Sequence, residues 1–222
     1  MDLNELQNAE SWIFDLDNTL YPVSANLFDQ IDHRMCSYIA EFLGLDLTAA
    51  HKIQKRYFRE HGTSLKGMMD NHQMDPVPYL KFVHEIDLSV IKQDILLGDA
   101  LSKLPGRKIV FTNSVAGYAE KVLERLGIAQ YFEDIFDIVD ANYIPKPEPT
   151  VYHQVVTRYG INPNKTVMVE DIVRNLRPAA DMGMQTVWVM TERPWAHTNL
   201  ESTDPDFRTD DLSLWLSEVT AL

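Results

Sequence analysis

A chain of 222 residues that is 45% apolar and 24% charged has the makeup of a water-soluble globular protein, long enough to bury a sizeable core. Thirty-three Asp and Glu against 20 Lys and Arg give a formal charge of −13, which repels polyanions and argues against nucleic-acid polymers and anionic membranes as partners. Cys36 stands alone, so an internal disulfide and a Cys-based zinc site are excluded; the acidic start MDLNELQNAE and the lack of any membrane-length apolar run make a cytoplasmic location the expectation.

The segment Ser11 to Leu16, SWIFDL, is short, apolar and aromatic, and it ends abruptly in acids and a turn at Asn18-Thr19. That pattern predicts a buried strand delivering polar groups at its carboxyl end. From Asn26 the apolar residues Leu27, Phe28, Ile31, Met35, Tyr38, Ile39, Phe42 and Leu43 recur at helical spacing until Gly44, predicting an amphipathic helix with Ser24 as its N-cap. Further helical patterns cover 48–60, 64–72 and 76–86, punctuated by Gly62 and Asp75-Pro76, and no strand is predicted between 22 and 100. After Pro105-Gly106 the segments 108–112, 135–139, 166–169 and 186–190 read as fully buried strands, with helices at 115–126, 150–159 and 173–182 among them. Such alternation predicts right-handed crossovers and a parallel sheet covered on both faces, joined by the first strand. The insertion between strands one and two is too long for a loop and is expected to form a helical subdomain over the sheet. A last helix at 210–219 is expected to pack Leu212, Leu214, Trp215 and Leu216 against the core.

Ligands of open α/β sheets sit beyond the carboxyl ends of the strands. Those ends carry Asp15 and Asp17, then Thr112 and Asn113, then Glu170 and Asp171, with Lys146 in the PKPEP segment after the third strand. The turn at Asn18 can bend both acids of the first pair toward one point. Gathered with Asp171 they would repel one another unless a cation sat among them, and Mg²⁺ suits, because it takes a few carboxylate oxygens and keeps sites for water and phosphate. A calcium loop is disfavoured, since the EF-hand pattern needs Gly and Glu where this chain has Leu20 and Asn26. Taken singly, each of these pieces reads equally as a turn, a helix cap or a solvated lysine. Their combination in chain order points to a phosphate site.

FDLDNTLYP, IVFTNS, PKPEPTVY and VMVEDIVRNL resemble the four successive motifs of the haloacid dehalogenase superfamily, spanning the whole core. Within it the chain is similar to the pyrimidine 5′-nucleotidase group, which shares the DNTLYP start, a cap segment like YFREHGTSLKGMM and the EDxxxNL form of the fourth motif. The resemblance implies an α/β fold with a Rossmann-like parallel-sheet core, residues 1–21 and 98–222, and an inserted helical cap domain, residues 22–97. It implies that Asp15 is the nucleophile, forming an aspartyl-phosphate, and that Asp17 is the acid and base, working best with a raised pKa. Mg²⁺ would be held by the Asp15 carboxylate, the Asp17 carbonyl and Asp171. Thr112 would donate to the phosphate, Asn113 would orient phosphate or Asp15, Lys146 would offset negative charge, and Thr19 would support the first turn and Asp17. Many members carry an aspartate where this chain has Asn175, which is expected to orient a metal-bound water or Asp171, with Glu170 compensating through water or hydrogen bonding.

For the leaving group, residues near Arg56 to Met68 are the candidates: Arg56, Tyr57, Phe58 and Thr63, with Tyr21 at the hinge. Tyr57 or Phe58 either stacks on a base or belongs to the cap's own core. The expected activity is Mg²⁺-dependent hydrolysis of small phosphate monoesters, a pyrimidine nucleoside 5′-monophosphate foremost. A sugar phosphate or phosphoglycolate is the alternative substrate. A 2-haloacid dehalogenase needs neither Asp17 nor Asp171, and a non-catalytic phospholigand-binding module would not require the Asp15/Asp17 pair.

Overall fold

Trp12, Ile13 and Phe14 are each almost wholly buried, and along a strand alternate residues face opposite sides. Trp12 and Phe14 enter one hydrophobic core and Ile13 the other, so β1 (Ser11–Phe14) is clad on both faces and lies at the centre of a sheet. The computed structural model describes residues 3–197 and 204–221. In it β2 (Arg107–Phe111), β3 (Asp134–Phe136), β4 (Thr166–Glu170), β5 (Gln185–Val189) and β6 (Phe207–Thr209) complete a six-stranded sheet in the order β3-β2-β1-β4-β5-β6. Every pairing is parallel, and β1 meets β2 and β4 with Phe14 opposite Val110 and Val169. This is the α/β, Rossmann-like sheet that the alternation predicts.

Between β1 and β2 come α1 (Leu27–Leu43), α2 (Leu47–His61), α3 (Ser64–His72), α4 (Pro76–Val83) and α5 (Ile95–Lys103). The first four pack on one another, whereas α5 lies against the sheet's own α9 (Leu212–Thr220). Their starts follow from capping: Asp46, Thr63, Asp75 and Asp94 each accept a backbone N–H of the first turn with the side chain. The helix α1 departs from expectation. Ser24 lies inside a 3-10 turn (Val23–Ala25) and does not cap; Asn26, left-handed at φ 54°, forms the boundary and donates its amide to Ser24 O. Gly44 at φ 65° ends the helix, a conformation that costs glycine little.

The helices α6 (Ala116–Leu126), α7 (Pro149–Tyr159) and α8 (Val173–Asp181) connect the later strands. β3 is shorter than predicted because Asp137 accepts the N–H groups of Ala116, Val139 and Asp140, turning the chain out of the sheet and leaving Val139 exposed. In α9 the buried stripe is Leu212, Trp215, Leu216 and Val219; Leu214, expected in the core, falls off that stripe and is 53% exposed. No helix among the described residues is long and apolar enough to cross a membrane.

Candidate active site

The chain leaves the sheet after Phe14, and the Asp15 N–H still donates to Val169 O at 2.9 Å. The first acid therefore sits beside the end of β4, where Glu170 and Asp171 emerge. β1 and β4 are neighbours across the point where the strand order reverses, which is where open parallel sheets form a ligand crevice. Asp15, Glu170 and Asp171, all buried, present carboxylate oxygens within 4.8 Å of one another.

One ammonium faces these three acids. Lys146 Nζ donates to Asp15 Oδ1 at 2.6 Å, Glu170 Oε2 at 2.7 Å and the Phe111 carbonyl at 2.7 Å, using all three protons in a site that is 1% exposed. Burial works against its charge, but Asp15 and Glu170 outweigh that and hold Lys146 above the usual lysine range. The carboxylates show the opposite balance. Burial pushes Asp15 up, with Lys146 opposing and Asp17 adding, while burial followed by the charges of Glu170 and Asp15 pushes Asp171 well above the ordinary aspartate range. Three acids against one ammonium leave an excess that a divalent cation balances.

Two buried oxygens beside this acid cluster have no hydrogen-bond partner among the described residues: Asp171 Oδ2 and Asn175 Oδ1. Buried polar atoms without partners are rare and costly, so these two mark a place for a ligand. The donor set is oxygen throughout, with no His or Cys in the cluster, which suits a hard cation better than zinc. The residues present thus fit a metal of the Mg²⁺ type. Glu170 is not free to join as an open ligand, since it accepts from Lys146, Ile172 N and the Asn175 amide. Asn175 accordingly holds Glu170, not Asp171.

Asp17 has separate company. Its Oδ1 accepts from the Tyr21 hydroxyl at 2.5 Å and the Tyr118 hydroxyl at 2.8 Å, and its Oδ2 from Ser114 Oγ at 2.7 Å. Burial raises its pKa and the three hydroxyls pull it back, with a net rise. Tyr21 is therefore a partner of Asp17, buried to 2% exposure. Thr19 donates to Asp15 Oδ2 at 3.1 Å, so it supports the first acid and not Asp17. The Thr112 hydroxyl accepts the Ser114 N–H and is buried, while Asn113 Oδ1 accepts the Lys146 N–H and ties that loop to β2. Neither Ser114 nor Tyr118 is marked by the sequence as a site residue, although Ser114 closes the IVFTNS motif and Tyr118 follows it by one turn of α6.

A cavity of about 500 Å³ joins the acids to the helical insertion, lined by Asp15, Asp17, Asn113, Lys146 and Asp171 at one part and by α1, α2 and α4 at another. Of the expected insertion contacts, Phe58 and Thr63 line it. Tyr57 does not: it is 4% exposed, with its hydroxyl 2.8 Å from His72 Nε2, so it belongs to the interior of the helical bundle. Arg56 is half exposed and pairs with Glu60 outside the cavity. Successive helical residues point about 100° apart, which is why Phe58 reaches the cavity and its two predecessors do not.

Strand-end acids at the switch point, a lysine spanning two of them and a roofed cavity define a hydrolase-type site on a Rossmann-like sheet. The family model of haloacid dehalogenase-like hydrolases matches residues 12–183, and the chain belongs to that family. It is 30% identical over 191 residues to phosphate metabolism protein 8 of Saccharomyces cerevisiae, covering 78% of this chain and 59% of the yeast protein's length. It is 25% identical over 217 residues to the glyceraldehyde 3-phosphate phosphatase of Methanopyrus kandleri, covering 89% of this chain and 91% of that one. Among solved structures, a phosphatase of the same family from Thermococcus onnurineus superposes with a TM-score of 0.59 at 18% identity over 96% of both chains, a likeness of fold.

Proposed function

We propose that this protein is a Mg²⁺-dependent phosphatase of small phosphate monoesters, with a pyrimidine nucleoside 5′-monophosphate as the leading substrate. The observation that carries the reading is the pairing of a lysine-bound acid, Asp15, with a second, hydroxyl-bound acid, Asp17, in the lining of one cavity. A dehalogenase needs only the first. The phosphatase named among the relatives lends the same support.

In this mechanism a free lone pair of the Asp15 carboxylate attacks phosphorus, the bond from phosphorus to the alcohol oxygen breaks, and the alcohol takes its proton from Asp17. Asp17 then receives a proton from the water that attacks the aspartyl-phosphate, and the bond from phosphorus to Asp15 breaks to release inorganic phosphate. Lys146 keeps Asp15 ionised and in line. Mg²⁺, held by Asp15, the Asp17 carbonyl and Asp171, would supply positive charge to the phosphoryl oxygens. The bundle α1–α4 serves as a cap that excludes bulk water.

Phosphate release from a panel of esters, with and without Mg²⁺, tests this. Wild type is expected to turn over at least one nucleoside monophosphate only with the metal, and Asp15→Asn to lose four or more orders of magnitude in kcat, about what loss of a covalent nucleophile costs. Halide release without metal, or phosphate binding with no turnover under any metal, would overturn it.

A further inference from the structure

The part of the cavity formed by the helical insertion carries charge that the hydrolysis itself does not use. Asp32 on α1 and Lys55 on α2 both line the cavity and pair at 2.6 Å, with Lys55 Nζ on Asp32 Oδ1. Gln54 Nε2 donates to that same oxygen at 2.8 Å and to the Asp32 carbonyl, so the carboxylate is held in place by its neighbours on α2. Both side-chain bonds fall on Oδ1; among the described residues Oδ2 accepts none. Lys55 spends one of its three protons on Asp32.

An independent observation points the same way. Tyr79 on α4 lines the cavity, is 0% exposed, and its hydroxyl has no hydrogen-bond partner. A buried tyrosine ordinarily satisfies its hydroxyl, and an unpaired one is a costly exception. Burial and then the nearby Asp32 charge push its ionisation far up, so it stays a neutral donor beside Asp32. The walls nearby are apolar: Phe58 and Phe28, both against Trp195 at ring distances of 5.8 and 6.3 Å, with Leu80 and Val83.

We infer that Asp32, Lys55 and Tyr79 form a leaving-group subsite that reads the polar edge of a flat heterocycle, one carrying an N–H next to a carbonyl or ring nitrogen. The inference rests on the phosphatase reading and names the group that its substrate carries. Asp32 Oδ2 takes the ligand's N–H, while Lys55 and Tyr79 donate to the neighbouring acceptor, and the aromatic walls cover the ring faces. A uracil or cytosine edge presents that pattern. An alcohol of two or three carbons has neither the flat faces nor the adjacent donor and acceptor, and would leave the Tyr79 hydroxyl unpaired.

The test measures kcat and KM with Mg²⁺ for UMP, CMP and ribose 5-phosphate in wild type, Asp32→Asn and Lys55→Met. The nucleotides are expected to lose about tenfold or more in kcat/KM relative to ribose 5-phosphate in each variant, mainly through KM, as removal of a hydrogen bond to a charged group predicts. Lys55 is one-third exposed, so its variant decides the matter alone if Asp32→Asn does not fold. Equal losses for all three esters, or a wild-type preference for ribose 5-phosphate over both nucleotides, would overturn the subsite while leaving the phosphatase standing. No hydrolysis of any phosphate ester by wild type would overturn both.

Discussion

Asp17 keeps its carboxylate where burial opposes it, and three hydroxyls share the task of holding it. Burial is the larger effect, and the donations from Tyr21, Ser114 and Tyr118 only partly offset it. Each donor favours the charged form, so removing one moves the pKa further up. Tyr118→Phe is the cleanest such change, because the ring keeps its place against His84 at 4.7 Å while the donor disappears. A hydrogen bond to a charged group is worth about 1.5–3 kcal/mol, and one pKa unit is about 1.4 kcal/mol. If Asp17 acts as the acid, it must be protonated, so the alkaline limb of kcat/KM against pH is expected to rise by about one unit in Tyr118→Phe. An unmoved limb with a uniformly lower rate would show Tyr118 to be mere packing. The acids were legible in the sequence because they stand at strand ends, and Lys146 because it sits in the PKPEP segment. Ser114 and Tyr118 were not: a tyrosine on a helix after β2 reads as core, and only the fold brings it to residue 17.

At the scale of elements, α2 and α3 meet so closely that one hydrogen decides the contact. A Cβ added at Gly67 would come within 2.3 Å of Tyr57 Cβ and 2.4 Å of its Cγ, atoms too near the backbone to swing aside. Tyr57 is fixed in turn by its hydroxyl at His72. Gly67→Ala must therefore part the two helices or turn Tyr57 out, and overpacking of this kind costs about 1–3 kcal/mol. Denaturant unfolding is expected to show that loss, with KM for the ester rising as well because Phe58 and Thr63 flank the same contact. Full stability in the alanine variant would contradict the packing described. Strong periodicity made α1–α4 and the central strands legible. The helix α5 and strand β6 were not, for β6 has only three residues, Phe207 and Thr209 inward and Arg208 outward, a pattern too short to stand above its surroundings. What defines α5 is its contact with α9, distant in sequence.

At the scale of the whole molecule, the helical bundle is tied to the sheet by a few contacts around the cavity rim. Arg174 on α8 donates to the carbonyls of Phe58 and Gly62 at 3.2 and 3.1 Å, and its guanidinium lies 4.4 Å from the Phe58 ring centre. Arg193 forms a two-pronged pair with Asp29 on α1, but both are substantially exposed, and such a pair contributes no more than about 1 kcal/mol and weakens with salt. Arg174 is the stronger tie and the less comfortable one, since its Nε is buried with no partner and burial lowers its pKa. Replacing it by Met removes the tie and the unsatisfied nitrogen together, so the two effects offset each other in global stability. In the proposed cap, which would open to admit substrate and close over it, they do not offset each other. If the closed fraction falls about tenfold, the apparent affinity for substrate falls by the same factor, while saturating substrate restores closure. Arg174→Met is therefore expected to raise KM about tenfold, with kcat held within about twofold and a thermal midpoint within a few degrees of wild type. A collapse of the midpoint together with kcat would instead make Arg174 a pillar of the fold, and an unchanged KM would mean that the bundle closes without it.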